Sequence, residues 1–202
     1  MKLLFTRNSP YARRIRMAIR HAHLLSNVEE IDVHPRDENI DQLLGAGPGG
    51  KVPVLVTDEG ETLCESLVIA NYLDRLAPGL LYPRNLARVT KVFQIESAAS
   101  VLMDSLFTRS REQRREADEQ SPGVITLEHE RALRCYQTLD AWVPDLPESE
   151  NLEMHGITTV AALGYADWRH PGDDWRECAP SLAHWYQIAS QYPFAIETKP
   201  LY

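Results

Sequence analysis

Apolar residues change their period once along this chain, and that change divides it. Lys2 to Thr6 carries the short continuous apolar run Leu3-Leu4-Phe5, as a buried strand does. From Pro10 to about His23 the apolar positions Ile15, Ala18, Ile19 and Ala22 recur at helical spacing. Ser9-Pro10 starts that helix, because serine is a favoured N-cap and proline a favoured first helical residue. Val28 to Val33 alternates well enough to predict a second strand. Asn39 to Ala46 predicts a short helix ended by Gly45 and Gly47, followed by the turn Pro48-Gly49-Gly50. Pro53 to Thr57 and Glu61 to Leu63 flank Asp58-Glu59-Gly60 and read as a hairpin. Ser66 to Leu76 then turns Leu67, Ala70, Leu73 and Leu76 to one side. The resulting order, βαβαββα, describes an α/β domain over residues 1–77.

Ala77-Pro78-Gly79 and Pro83 interrupt the pattern, so residues 78–84 are expected to be a linker. Beyond them nothing has the period of a strand, and residues 85–202 read as an all-helical domain. Leu86 to about Ser110 carries Val89, Val92, Phe93, Glu96 and Ala99 at helical spacing, and Leu133, Tyr136, Leu139 and Val143 mark a helix after Ser121-Pro122-Gly123. A third helix places Ile157, Val160, Ala161, Gly164, Tyr165 and Trp168 along one face and is expected at the domain centre. Pro180 to Tyr192 predicts a fourth, after which the tail runs out past Pro193.

Composition narrows the function classes. At 202 residues, 44% hydrophobic and 25% charged, the chain has the balance of a globular protein. A net charge of -8 argues against a general nucleic-acid binder, which needs a basic face to displace counterions from phosphates. No apolar run approaches the roughly 20 residues of a membrane span, and Met1 to Arg7 breaks too soon for a secretory leader, so no membrane association and a cytoplasmic location are expected. Three cysteines, Cys64, Cys135 and Cys178, suit reduced thiols better than a disulfide framework. His21, His23 and His34 lack ligand spacing, so no metal is expected, and no glycine-rich loop points to a nucleotide. Arg13, Arg14, Arg16 and Arg20 read as a solvated helix face with ion pairs, and the charge-dense tract Arg109 to Glu119 as a solvated helix end or loop.

Candidate chemistry gathers in the first domain. Pro53 has no N–H to give a ladder, which predicts an edge or terminal strand there, and the Val52-Pro53 bond is a candidate for cis geometry. That geometry would turn the Val52 backbone outward to pair with a small peptide. Ser9 sits where the N–H groups and positive dipole end of its helix converge, suited to an anion. Glu65-Ser66 opens another helix, where N–H groups and a hydroxyl suit a carboxylate and Glu65 suits an ammonium. On local sequence alone Ser9 also fits an ordinary N-cap, Glu65 a residue favouring the helix dipole, Lys51 a solvated turn lysine and Cys64 a small buried hydrophobe.

Three motifs in this order, Asn8-Ser9-Pro10-Tyr11-Ala12-Arg13-Arg14, Gly50-Lys51-Val52-Pro53-Val54-Leu55 and Glu65-Ser66-Leu67-Val68-Ile69, resemble cytosolic glutathione S-transferases, closest to bacterial members of the serine-type branch. The resemblance spans nearly the whole chain. It implies a thioredoxin-like first domain that binds glutathione and a helical second domain lining the pocket for an electrophile. It also implies Ser9 as the catalytic residue, donating a hydrogen bond to the glutathione sulfur. Ser9, Lys51, Val52, Pro53, Glu65 and Ser66 would bind glutathione, with Lys51 reaching its glycine carboxylate. Glutathione enters as co-substrate and attacks a small hydrophobic electrophile or a peroxide, the chemistry of detoxification, and a homodimer is implied. The alternative is a glutathione-binding regulatory or stress-response module with little catalysis, since fold does not fix function. Disulfide exchange is disfavoured because Ser9 holds the position where a redox cysteine would stand. The family's central-helix cap of Ser or Thr followed by Asp is half present, as Thr158 and Thr159 are followed by Ala161 and Ala162.

Overall fold

The structure, a computed structural model, describes residues 1–33, 40–147 and 152–200. His34, and Asn39 at the expected start of the short helix, lie outside those residues. The chain forms two compact units, Met1–Arg84 together with Pro193–Tyr202, and Asn85–Tyr192.

The first unit follows the expected order. Strand β1 is Lys2–Phe5, helix α1 Pro10–His21, β2 Glu29–Asp32, α2 Ile40–Ala46, β3 Val54–Val56, β4 Thr62–Leu63 and α3 Ser66–Leu76. The sheet order is β2-β1-β3-β4, with β1 parallel to β2 and antiparallel to β3, and β3 antiparallel to β4. Register pairs Leu4 with Ile31 on one side and with Val54 on the other. Leu4, Val33, Leu43 and Val54 form one core cluster, with Ile31, Ala46, Val52 and Cys64 packed against it. Strand alternation sends Leu3 and Leu55, both fully buried, to the opposite face. There α3 packs on β3, and α1 packs on α3.

Two expectations for this unit need correction. Pro53 does not open an edge strand, because β3 lies between β1 and β4. The ladder starts one residue later, at Val54, so the missing N–H of Pro53 is never asked for. Nor are the α1 arginines a solvated face. Arg13 and Arg14 are each only 4% exposed. Arg16 and Arg20 do form ion pairs, both with Glu30 on β2, at 3.0 and 2.7 Å. Burial alone would raise the Glu30 carboxyl, but hydrogen bonds from Arg20 and Arg16 outweigh it and hold the group below its usual value. The end of the unit is fixed by Asp74, whose Oδ1 accepts the backbone N–H groups of Gly79, Leu81 and Tyr82 at 3.1 to 3.2 Å.

In the second unit, α4 spans Leu86–Glu112, α5 Pro122–Ala141, α6 Met154–Arg169, α7 Trp175–Cys178 and α8 Pro180–Ala189. Asn85 and Ser121 cap α4 and α5 through their side chains. Arg88 meets Glu153 at 2.8 Å, and His170 meets the Leu106 carbonyl at 2.9 Å, so α4 and α6 run parallel. Every residue of α6 from Met154 to Ala166 is buried, which places this helix at the unit's centre as its apolar face predicts.

The helix starts earlier than its cap-like threonines suggest. Thr158 and Thr159 are interior residues of α6, fully buried, and Thr159 bonds back to the His155 carbonyl at 2.7 Å. The half-cap is therefore not a cap, and the N-cap position is Glu153, which makes no side-chain capping bond. Arg109 also departs from expectation. It is 3% exposed and pairs with Asp173 and His129 instead of facing solvent.

The tail does not run out. Pro193–Glu197 forms a short helix, α9, packed on α1 within the first unit, so the all-helical domain expected to reach residue 202 gives up its last segment.

Candidate functional site

The start of α1 is built by local sequence. Ser9 has extended backbone, its half-buried Oγ accepts the Ala12 N–H at 3.2 Å, and Pro10 occupies the first turn. No acidic residue lies in that turn, so nothing opposes its positive end. With the oxygen accepting one bond, the Ser9 hydroxyl proton remains to be donated, and among the described residues nothing takes it. Capping and anion donation are compatible in one side chain.

The start of α3 is built across sequence. Ser66 is 3% exposed, and its Oγ receives two hydrogen bonds from Arg14, from Nε at 3.1 Å and Nη2 at 2.5 Å. A hydroxyl oxygen has two lone pairs. Both are engaged by the guanidinium, so the hydroxyl can only donate. A donor-only hydroxyl, a buried guanidinium and the N–H groups of an α-helix thus coincide where an anion is favoured. Glu65, exposed at the N-cap position, makes no capping bond and presents a carboxylate beside them.

In chain order, the turn before β3 comes between these two helix starts. The Val52-Pro53 bond is cis, with Pro53 buried and Val52 half-buried. Neither backbone group of Val52 has a partner among the described residues. Val52 and Cys64 pack against the same cluster, which brings this turn to the residues leading into α3. Cys64 is half-buried, close behind Gly47, where an added Cβ would stand 2.5 Å from its Sγ. Lys51 is exposed, and no contact among the described residues ties it to the group.

The arrangement therefore joins Ser66, Val52 and the approach to Glu65, with Ser9 on the helix whose Arg14 makes the join. Arg14 itself was missed by sequence reasoning. Its signal, an arginine on the face of an amphipathic helix next to apolar Ile15, is indistinguishable from a surface charge until its partner is known. Among the described residues no cluster of His, Cys, Asp and Glu could hold a metal ion, and no helix is long and apolar enough to cross a membrane.

Residues 8–76 match the family model described as glutathione S-transferase, N-terminal domain. The chain is 29% identical over 185 residues to an uncharacterized GST-like protein, YibF, of Escherichia coli (strain K12), covering 90% of each. A glutathione transferase family member from Pseudomonas fluorescens Pf-5, crystallised with bound glutathione, superposes with a TM-score of 0.91 at 27% identity, covering 100% of this chain and 99% of that one. A glutathione S-transferase from Methylobacillus flagellatus KT with GSH bound gives 0.89 at 27% identity and 99% of both chains. The fold is accordingly the thioredoxin-like unit followed by the helical unit of those proteins.

Proposed function

With the chain a member of the glutathione S-transferase family, we propose that it is a serine-type glutathione transferase whose first unit binds and ionises the tripeptide thiol. Ser66, the N–H groups of α3 and the charge of Arg14 hold the γ-glutamyl carboxylate, and Glu65 pairs with its ammonium. The free backbone groups of Val52, beside the cis Pro53, pair with the cysteinyl backbone as a short strand would. Lys51 reaches the glycine carboxylate. Ser9 donates its hydroxyl proton to the sulfur.

The magnitudes fit that assignment. A free thiol near pKa 8.5 is mostly neutral at pH 7. One hydrogen bond to a charged group contributes about 1.5–3 kcal/mol, enough to lower that value by roughly one to two units. Most of the sulfur's activation is thus within reach of a single hydroxyl supported by the α1 dipole. The thiolate then attacks a small hydrophobic electrophile, expelling its leaving group, or attacks a peroxide oxygen, breaking the O–O bond to release the alcohol and leaving a sulfenic acid that a second glutathione converts to the disulfide and water. We assign the chain to the cytoplasm, as a homodimer with a detoxifying role. Exposed Leu67 and Val68 on α3 are apolar surface suited to a second copy.

The observation that carries this reading is the buried Arg14–Ser66 contact at the α3 N-terminus. Its test is turnover of purified chain with glutathione and a chloronitrobenzene, and separately with an organic hydroperoxide. Conjugation or peroxide reduction well above the uncatalysed rate supports the transferase. Retention on immobilised glutathione without turnover identifies a glutathione-binding module with little catalysis, and no retention refutes both.

A further inference from the structure

The chain leaves the first unit at Arg84 and returns to it at Pro193, and the returning segment docks on the helix that carries Ser9. Arg13 of α1 donates from Nη2 to the Ala195 carbonyl at 3.1 Å in a buried contact. Arg20 pairs through Nε with Glu197 at 3.0 Å. His21 meets Phe194 edge-on at 5.5 Å between ring centroids. Phe194, Ala195 and Thr198 are 7%, 1% and 0% exposed, so the segment is seated and not merely resting on the surface. Thr198 closes it by donating to the Phe194 carbonyl at 2.7 Å.

These contacts spread over two faces of α1, since His21 stands seven residues from Arg14 and on its side of the helix. Arg13 and Arg20 stand two helical turns apart and share a face, whereas Arg14, rotated by about 100°, points its guanidinium to Ser66. The helix is thereby held by α3 through Arg14, by β2 through Arg16 and Arg20 on Glu30, and by α9 through Arg13, Arg20 and His21. The ion pairs to β2 lie from Arg16 onward, whereas Arg13 and Arg14 anchor the first turns of α1, next to the group whose placement those turns set, Ser9.

We propose that α9 is a clamp on α1 and that Arg13, which touches no substrate in this scheme, is a positioning residue for Ser9. The proposal rests on the glutathione reading for its chemical consequence but not for its mechanical part. The matched N-terminal-domain model ends at residue 76, before α9, while the structural likeness runs over the whole chain. The first unit is therefore completed by residues that the second unit separates from it in sequence.

The test uses the full chain with Arg13→Met, which keeps side-chain bulk and removes the donor, Arg13→Lys, which keeps a donor, and Glu197→Gln, a mild change at the exposed end of α9. Circular dichroism first establishes that each variant is folded. Hydrogen exchange of the α1 amides reports the clamp directly, and ultraviolet titration of bound glutathione reports the sulfur. Arg13→Met is expected to speed α1 exchange at least tenfold while β1 and β3 remain unchanged, and to move thiol ionisation upward with little change in glutathione affinity. Arg13→Lys restores part of both, and Glu197→Gln gives a smaller effect of the same kind. If Arg13→Met does not fold, Glu197→Gln decides alone. Unchanged α1 exchange overturns the clamp whether or not glutathione binds. Faster exchange with an unmoved thiol titration overturns the positioning role. Failure of the wild-type chain to bind glutathione removes the glutathione reading and the positioning role, and exchange still decides the clamp.

Discussion

Arg14→Met removes the buried guanidinium while keeping most of its apolar stem, and it isolates the charge that the site places at the start of α3. In the wild type, Ser66 Oγ accepts two bonds from that guanidinium, at 3.1 and 2.5 Å, and is left with a hydroxyl that only donates. Without Arg14 the oxygen regains its lone pairs, the hydroxyl is free to rotate, and a bound carboxylate loses both an oriented donor and a nearby positive charge. Hydrogen bonds to charged groups contribute about 1.5–3 kcal/mol, so the dissociation constant for glutathione should rise by roughly 10- to 150-fold. Arg14→Lys should recover little, because an ammonium cannot reproduce the Nε and Nη2 pair on one oxygen. Calorimetric titration with glutathione, alongside cysteinylglycine, which lacks the γ-glutamyl carboxylate, separates recognition from general damage. The wild type is expected to prefer glutathione, and Arg14→Met to lose that preference. Affinity within twofold of wild type would rule out Arg14 as a carboxylate-binding charge, as would an equal loss for both ligands.

Three further predictions concern stability. Asp74→Ala strands three backbone N–H groups, those of Leu81 and Tyr82 in buried bonds, and should cost about 3 kcal/mol or more in urea denaturation, whereas Asp74→Asn, which keeps Oδ1, should cost about 1 kcal/mol. His155 is 2% exposed, and burial pushes it from 6.5 down to about 4, with the nearby Asp145 backbone opposing the shift only in part. The unfolded chain then binds the extra proton between those values, so stability falls as pH drops from about 6.5 to about 4, by up to about 3 kcal/mol, and the wild-type curve minus that of His155→Gln should carry this slope. Gly47→Ala would place a Cβ 2.5 Å from Cys64 Sγ and should destabilise by about 1–3 kcal/mol, with Cys64→Ala restoring most of it in the double variant.

What was legible in the sequence was what neighbouring residues decide among themselves. Ser9-Pro10 announced the α1 start because a cap and a proline at the first turn act within a few residues, and the structure has both. The hairpin around Gly60 was legible for the same reason, its φ of +88° being a turn geometry that glycine adopts freely. The Arg14–Ser66 contact joins two helices far apart in sequence, and no local pattern distinguishes it from a solvated arginine. Helix α9 was missed because Pro193–Glu197 is too short to show a helical period, and its burial comes from α1. The α6 start was misplaced because Thr158 and Thr159 resemble a cap, while tertiary packing carries the helix back to Met154. Arg109 looked solvated because its partner Asp173 lies on a distant turn.

The most direct test of the account is the ionisation of glutathione bound to this chain, followed by thiolate absorbance near 240 nm across pH in the wild type and in Ser9→Ala. In the wild type, ionisation is expected roughly one to two units below the free-thiol value near 8.5. In Ser9→Ala the titration should return most of the way to that value, with glutathione still bound and with a loss of only about 1 kcal/mol of stability for the missing cap. A bound thiol that titrates like the free one, or a lowered value that survives in Ser9→Ala, would contradict that expectation.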